Sequence, residues 1–383
     1  MVSDRAHLKG ARRGAGLDRL RSEIERILGG FAAAGATFVE PEALQPAELL
    51  LDLYGEEVRQ RAFVTRDEGA ELMLRPDFTV PIVRMHMDGG ADPARYAYCG
   101  PVWRQQEAGS ARPREYLQAG IEIFEAGDPA ATDAEAMALI VAALGDAPVE
   151  ITTGDMGLVL AAIEGLATSA ARKAALKRHV WRPAKFHALL RRYGIEQARL
   201  TERRAPLIAA EAEGRLSDLV AAAGPAVGLR RFEDIAGRAR RLAEEAATPP
   251  LSAGEADLLE AVLRVEAPSP RALDRYRELV ADLPALAPAV DRFAARLDAL
   301  DRAGIAVETL AFEASFGRTA LEYYDGFVFG AAARGRPDLP PIASGGRYDA
   351  LTRVLGRGRG IPAVGGIIRP EALVALSEGP ACD

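Results

Sequence analysis

Cysteine is scarce in this chain, and its placement excludes two classes of structure. Only two of the 383 residues are cysteines, Cys99 and Cys382, and they stand far apart. Neither a disulfide framework nor a CxxC metal site is expected, and such a composition is typical of the reducing cytoplasm. No run of about 18 apolar residues occurs, and the polar N-terminal residues are not followed by an apolar stretch of the signal-peptide type. Secretion and membrane insertion are therefore not expected.

Net positive charge is also lacking. The formal net charge is −7 and the sequence pI is about 5.4, so the total charge gives no general attraction to nucleic acid. The basic run at 172–182 is typical of a solvated helix face; contact with an anionic partner is the alternative. The four histidines show no metal-ligand grouping, and neither a metal nor a cofactor is predicted. With 49% hydrophobic and 27% charged residues, the chain has an ordinary globular composition and enough apolar residues for two or three cores.

Hydrophobic spacing predicts helices and strands over the first 154 residues. From Leu17 to Phe31 apolar residues recur at intervals of three and four, which predicts an amphipathic helix that ends near Gly35. A short strand follows and stops at Pro41, because proline cannot donate to a sheet ladder. Thr79 is predicted to cap a second helix. This second helix is predicted at 79–86 and a third at 133–144, with strands at 62–65, 71–74, 95–99, 116–124 and 148–153.

The composition changes in kind after residue 154. Residues 155–300 are dominated by Ala, Leu, Arg and Glu with few β-branched residues, which predicts a series of helices. Strands are predicted again at 306–312, 327–329 and 342–344, and a final helix is predicted from about Glu371. The pattern indicates a helical insertion between two halves of a mixed α/β domain. The predicted division is a flexible N-terminus at 1–16, the first half of the core at 17–154, the insertion at 155–300 and the second half of the core at 301–383.

Two segments of the first half carry polar residues that a plain core strand would lack. One is a turn between strand and helix that holds Asp77 and Thr79; a simple helix-capping turn is the alternative. The other is a pair of strands joined by a Gly/Ser loop. If the pair is antiparallel, Arg104, Gln118 and Glu122 share one face, where the guanidinium can meet a carboxylate or phosphate and the glutamate an amine or imidazole. A solvated hairpin with surface ion pairs is the alternative.

A third segment combines aromatic residues with glycines. Tyr323 and Tyr324 form a double tyrosine, and residues 345–349 read Gly-Gly-Arg-Tyr-Asp. A glycine pair lets the backbone approach a ligand closely. Two core tyrosines and a tight turn would explain the same residues.

In their order and spacing these segments resemble class II aminoacyl-tRNA synthetases and, within that class, histidyl-tRNA synthetase. Residues 17–41 are similar to the dimer-forming motif 1, and residues 103–125 to motif 2. The double tyrosine and residues 345–349 resemble the two histidine-specific signatures, and residues 365–373 resemble motif 3. The resemblance runs from about residue 17 to the end. It implies an α/β fold with a synthetase-like antiparallel sheet flanked by helices and a mostly helical insertion.

The residues that would handle ATP depart from the synthetase pattern. By resemblance, the arginine of motif 3 is replaced by Ala372, and the arginine before the double tyrosine by Thr319, with Arg318 beside it out of register. The motif 2 glutamate that helps fix the adenine is Gln106. Losing one positioned transition-state cation typically costs a factor of about 10² to 10³ in rate. No adenylate formation and no catalytic residue are therefore expected.

The amino-acid half of the site is better preserved. The resemblance implies that Asp77, where the synthetase usually has Glu, and Thr79 meet an α-amino group. It also implies that Arg104 and Gln118 meet the carboxylate. An acid beside phenols suits imidazole, because that ring donates from both nitrogens when protonated and both donates and accepts when neutral. The predicted histidine-binding residues are Asp77, Thr79, Arg104, Gln118, Glu122, Tyr323, Tyr324 and Tyr348.

A histidine-type pocket without adenylate chemistry resembles the regulatory subunits that accompany short-form ATP phosphoribosyltransferase. The resemblance implies a non-catalytic, cytoplasmic subunit that the first step of histidine biosynthesis requires and through which L-histidine inhibits that step. It implies a self-dimer through motif 1 and a hetero-oligomer with the catalytic subunit, with no nucleic-acid or membrane partner. An anticodon-binding domain is not expected, because only residues 377–383 follow the motif 3 helix.

Two alternatives stay open on the sequence. One is a truncated, histidyl-tRNA synthetase-like adenylate-forming enzyme that uses Arg318 or Arg369 in place of the missing cations. The other is a histidine-sensing or tRNA-mimicking scaffold that binds a different partner.

Overall fold

A computed structural model describes most of the chain, which forms two compact units. The described residues are 12–47, 60–67, 69–107, 109–110, 112–224, 231–318 and 323–377. The first unit comprises Met1–Gly157, Glu266–Asp274 and Ala289–Asp383, and the second comprises Leu158–Val265 and Arg275–Pro288.

Twelve strands are described, and nine of them form one sheet in the order β1-β5-β6-β12-β11-β10-β7-β9-β8. Every neighbouring pair is antiparallel except β1 with β5 and β7 with β9, which are parallel. A second sheet has the order β2-β4-β3. The strand bounds are β1 Thr37–Phe38, β2 Leu44–Pro46, β3 Val64–Asp67, β4 Ala70–Leu74, β5 Ala94–Trp103, β6 Glu115–Phe124, β7 Val149–Asp155, β8 Glu266–Pro268, β9 Ala311–Glu313, β10 Phe327–Ala333, β11 Ala343–Arg347 and β12 Ala363–Ile368.

Fifteen α-helices lie within the described residues, and none of them is both long and apolar enough to cross a membrane. Two 3₁₀ turns, Pro284–Leu286 and Val307–Thr309, complete the helical segments. The helix bounds are α1 Gly14–Ala33, α2 Thr79–Met87, α3 Pro129–Leu144, α4 Met156–Gly165, α5 Ala170–Arg178, α6 Pro183–Tyr193, α7 Gln197–Arg203, α8 Ala205–Ala212, α9 Leu216–Ala222, α10 Phe232–Ala247, α11 Ala253–Leu263, α12 Ser269–Val280, α13 Ala287–Arg302, α14 Asp349–Leu355 and α15 Pro370–Ser377.

The large sheet has one face covered by helix α3. Ile140 of that helix is buried, and a Cβ built on Gly366 of β12 would lie only 2.7 Å from its Cγ1 atom. Glycine at this position therefore lets the helix pack closely on the strand. On the other face, a cluster of buried aromatic and aliphatic side chains includes Phe78, Tyr98 and Tyr348. The candidate site lies on this second face.

In the second unit, the prediction that the basic run is a solvated face was wrong for Arg172. This side chain is buried, and its Nη2 atom donates to Gln197 Oε1 at 2.9 Å. Its Nη1 atom donates to the Pro249 carbonyl at 2.7 Å, and the guanidinium carbon lies 4.9 Å from the centre of the Tyr193 ring. Arg172 therefore satisfies carbonyls and an amide at the centre of the helices, which a charge pattern alone does not reveal.

The predicted α/β class is confirmed, with two local corrections. Strand β8 lies where helices were predicted; it is three residues long, ends in proline and, among the described strands, pairs with β9 alone at the sheet edge. Part of the strand predicted at 306–312 is instead the 3₁₀ turn before β9. Such short segments carry too few residues for a period to be read.

Candidate functional site

Alternation along β6 places Gln118, Gly120 and Glu122 on one face of the sheet. Across the ladder, Glu122 lies opposite Gly365 of β12, which lies opposite Gly346 of β11. A Cβ built on Gly365 would lie 1.7 Å from Glu122 Oε2, and one on Gly120 would lie 2.4 Å from the Tyr98 hydroxyl oxygen. Glycines thus form a floor that leaves room for the carboxylate and the rings above it.

Glu122 is the centre of the site. It is buried and accepts three hydroxyl hydrogen bonds. Thr79 Oγ1 donates to Oε1 at 2.8 Å, the Tyr98 hydroxyl donates to Oε1 at 3.1 Å, and the Tyr348 hydroxyl donates to Oε2. Helix α2, strand β5 and the turn after β11 therefore converge on one carboxylate, which is held in a fixed orientation.

Burial of the Glu122 carboxylate away from water shifts its pKa. Burial raises the pKa of Glu122 to about 7 and is the largest cause. The bonds from Tyr348, Thr79 and Tyr98 lower it, and the charge of Asp77 raises it. Burial, followed by the charge of Glu122, raises the pKa values of the Tyr98 and Tyr348 phenols well above normal. The phenols are therefore donors at neutral pH, while the carboxyl exchanges its proton near neutrality.

The raised pKa of Glu122 should be visible in the pH dependence of the unfolding free energy. Between pH 4.5, the ordinary value, and about 7, the unfolded chain loses the Glu122 proton that the folded chain keeps, so rising pH favours unfolding. Glu122→Gln cannot ionise and escapes this penalty. We expect the unfolding free energy of Glu122→Gln minus that of the wild type to grow over this interval and to level off above about pH 8. Denaturation curves of both proteins at several pH values measure the difference, and parallel pH profiles would contradict the assignment.

A wall of tyrosines stands beside Glu122. The Tyr323 and Tyr324 ring centres are 4.9 Å apart, and those of Tyr324 and Tyr348 are 6.5 Å apart. The Tyr323 hydroxyl donates to Asp77 Oδ2 at 3.5 Å. Burial is the main cause that raises the pKa of Tyr324, and the charges of Glu122 and Asp77 add to it. The wall offers flat apolar surface and phenol groups to a small ring.

Arg104 and Gln118 lie at the other end of this face. Arg104 Nε donates to the Pro76 carbonyl at 3.1 Å, which fixes the guanidinium beside the turn that carries Asp77. Gln118 is 2% exposed, and within the described part of the chain its Oε1 atom has no hydrogen-bond partner. Leaving a buried acceptor unsatisfied is costly, so Gln118 Oε1 is a candidate acceptor for a donor from outside the chain.

The turn that carries Tyr348 is anchored by buried ion pairs. Arg347 Nε donates to Asp133 Oδ1 at 2.8 Å, and Arg296 Nη1 donates to Asp133 Oδ2 at 3.3 Å. Arg296 also pairs with Asp155 at the end of β7. These pairs tie Arg347, the residue before Tyr348, to Asp133 of helix α3 and through it to Arg296 of helix α13, which helps to orient the Tyr348 phenol.

All eight residues predicted for histidine lie in the first unit. Around Glu122 the structure brings together Thr79 and Tyr348. Thr79 is not the predicted helix cap: Phe78 occupies that position, and the threonine hydroxyl bonds to Glu122 instead. Sequence reasoning missed Tyr98, whose alternation with Tyr96 on the predicted strand was the available signal. The predicted roles of the eight residues stay predictions.

At two described positions the ATP half of the site lacks the residue that the synthetase pattern implies, an arginine at Ala372 and a glutamate at Gln106. Ala372 is buried in α15. Gln106 accepts a bond from Arg61, and its own amide donates to the Pro113 carbonyl at 3.1 Å. Thr319 lies outside the described residues. The groups around Gln106 are thus engaged with the chain itself.

A family model matches most of this chain. The model described as Histidyl-tRNA synthetase matches residues 16–247 and 236–373. Solved structures of similar fold include an ATP phosphoribosyltransferase regulatory subunit/histidyl-tRNA synthetase from Bacillus halodurans, at a TM-score of 0.66 and 21% identity over 97% of this chain and 83% of that one. Another is a histidyl-tRNA synthetase from Nostoc, at a TM-score of 0.60 and 16% identity over 96% of this chain and 75% of that one. At these identities the likeness concerns the fold.

Curated relatives are more similar in sequence. Proteins from Brucella ovis, Brucella canis and Brucella suis, each named ATP phosphoribosyltransferase regulatory subunit, are 35% identical to this chain over 377 residues. Each alignment covers 90% of this chain and 94% of the relative.

Proposed function

The chain belongs to the ATP phosphoribosyltransferase regulatory subunits, and from that membership we propose that it binds L-histidine at Glu122 and confers histidine inhibition on the catalytic subunit. As a family member it is a non-catalytic partner in the first step of histidine biosynthesis. The observation that carries the histidine proposal is the buried Glu122, held by three hydroxyl donors beside a tyrosine wall.

Imidazole suits this carboxylate because the two groups titrate in the same range. The pKa of Glu122 is about 7, and an unperturbed imidazole titrates near pH 6.5. The complex needs one proton between carboxylate and ring, and near neutrality that proton is available from either partner. The second ring nitrogen can reach a phenol of the wall.

Inhibition follows from linkage between two states of the assembly. Histidine inhibits only if it binds the less active state of the complex better than the active one. A tenfold to hundredfold difference in affinity corresponds to about 1.4 to 2.7 kcal/mol of coupling. The ion pairs behind Tyr348 join the pocket to helices α3 and α13 and offer a physical route for that coupling.

The same proposal includes a self-dimer through residues 17–41 and a hetero-oligomer with the catalytic subunit in the cytoplasm. Phe38 supports the first part, because this large apolar side chain is 54% exposed on the edge strand β1. An exposed apolar residue on an unpaired strand edge is typical of an interface.

The test is a transferase assay with the catalytic subunit alone and with this chain added. We expect a rate increase on addition, because the family member is a required subunit, and inhibition by histidine only when this chain is present. Glu122→Gln in the mixture should keep the increase and lose the inhibition. An unchanged rate, or equal inhibition with the Glu122→Gln chain, would refute the proposal.

A further inference from the structure

Arg369 lies on the same face of the sheet as the candidate site. Ile368 at the end of β12 pairs with Ala119, so the next residue stands level with Gln118 on the neighbouring strand. Alternation along β12 places residue 369 on the face of Gly365, opposite the face that packs on α3. The Arg369 amide donates to the Ile342 carbonyl at 2.8 Å, which continues the sheet geometry past the strand end.

The side-chain contacts of Arg369 agree with this placement. Its guanidinium carbon lies 5.8 Å from the centre of the Tyr116 ring, and Tyr116 shares the pocket face of β6 with Gln118. Its Nη1 atom donates to the Pro341 carbonyl. The carbonyl and the ring fix the guanidinium at the Gln118 end of the pocket, and the side chain stays partly accessible.

The guanidinium groups at the Gln118 end of the pocket favour binding of an anion. Within the described part of the chain, no carboxylate forms an ion pair with Arg369. Burial is the first cause that lowers the pKa of Arg369, the positive charge of Arg104 adds to that effect, and the Tyr116 phenol opposes it. Arg104 and Arg369 lie on the same face of the sheet at the Gln118 end, and two guanidinium groups in a partly dehydrated place are stabilised by an anion.

Two neighbouring acceptors, on Gln118 and Asp77, favour a cation beside that anion. Gln118 Oε1 is a buried acceptor without a partner in the described chain, and Asp77 is a buried carboxylate at the same end of the site. An ammonium group can donate to both. The pocket therefore presents acceptors and guanidinium groups side by side, a pattern that fits the head group of a free α-amino acid.

We propose that Arg369 and Arg104 form an anion subsite for the free α-carboxylate of the ligand, so that the pocket selects an amino acid over the matching alcohol or ester. This inference rests on the proposed histidine site and adds its ligand class: a ring that suits Glu122 together with a free carboxylate. It also gives Arg369 a role in reading the ligand that requires no ATP chemistry.

Calorimetric titration of the full-length protein with L-histidine and with L-histidinol, which carries CH₂OH in place of the carboxylate, tests the inference. The wild type should bind histidine at least about thirtyfold more tightly than histidinol, because a site built for a charged group rejects an analogue that lacks it. Arg369→Gln should lose at least about tenfold in histidine affinity and keep its histidinol affinity within about twofold. Arg369→Lys retains the charge and should keep part of the preference.

Arg334→Gln is the matched control, because Arg334 is an exposed arginine that pairs with Glu150 away from the pocket. It should leave both affinities unchanged. Equal wild-type affinities for histidine and histidinol would overturn the inference without any variant. A preference that survives Arg369→Gln would overturn it and leave the histidine proposal standing, whereas a wild-type protein that binds neither ligand would overturn both.

Discussion

Replacing Glu122 with glutamine is expected to weaken histidine binding at least about hundredfold, as measured by calorimetric titration at pH 7. Truncating one partner of a buried, hydrogen-bonded charge pair typically costs about 2 to 5 kcal/mol, and about 2.7 kcal/mol is a hundredfold in affinity. The amide is similar in shape to the carboxylate and can still bond to the hydroxyls of Thr79, Tyr98 and Tyr348. The variant therefore keeps the pocket and removes the charge that pairs with imidazolium.

The matched control is Glu135→Gln on helix α3. Glu135 is a partly buried glutamate that forms an ion pair with Arg95, so the substitution removes the same charge from a site that does not face the pocket. Histidine affinity should stay within about twofold of wild type. If both variants bind histidine as the wild type does, the ligand does not use Glu122, and the proposed site is wrong.

The second large effect is expected for Gly365→Ala. The new Cβ would lie 1.7 Å from Glu122 Oε2 and 2.8 Å from the Ile121 carbonyl oxygen, which belongs to a strand that cannot shift freely. Overpacking a well-filled site typically lowers the unfolding free energy by about 1 to 3 kcal/mol. A contact this short places the expected loss at or above the upper end of that range. We expect a loss of about 3 kcal/mol in unfolding free energy from denaturant titration. Histidine binding should fall below detection as Glu122 is displaced.

Gly254→Ala provides the same substitution in an open place. Gly254 is exposed in the first turn of helix α11, and a Cβ built there meets no atom within 4 Å. Alanine in a helix is favoured over glycine by about 1 kcal/mol, so this variant should be as stable as the wild type or more stable. Equal stability and histidine affinity of Gly365→Ala and the wild type would show that the glycine floor does not set the pocket.

Much of the fold was predictable because its longer elements carry a clear period. Strands β5 and β6 and helix α1 were found from alternation and three-to-four spacing within a few residues of their bounds. Strand β8 was not, because its three residues are specified by pairing with β9 and not by a local pattern. The burial of Arg172 was also hidden, since its partners are carbonyls contributed by distant parts of the chain.

In the candidate site, the sequence predicted the residues that belong to recognisable motifs. Resemblance supplied Glu122 and two of the residues that donate to its carboxylate, Thr79 and Tyr348. It did not supply Tyr98, the third donor to Glu122, because a tyrosine in an alternating strand reads as an ordinary core residue. The placement of Arg369 beside Gln118 required the register of β12 against β6, which no single sequence shows.

A crystal structure of the protein with L-histidine tests the central claim most directly. The account predicts the imidazole within hydrogen-bond distance of Glu122 and the carboxylate between Arg104 and Arg369. Histidine bound elsewhere, with the face around Glu122 empty, would contradict it.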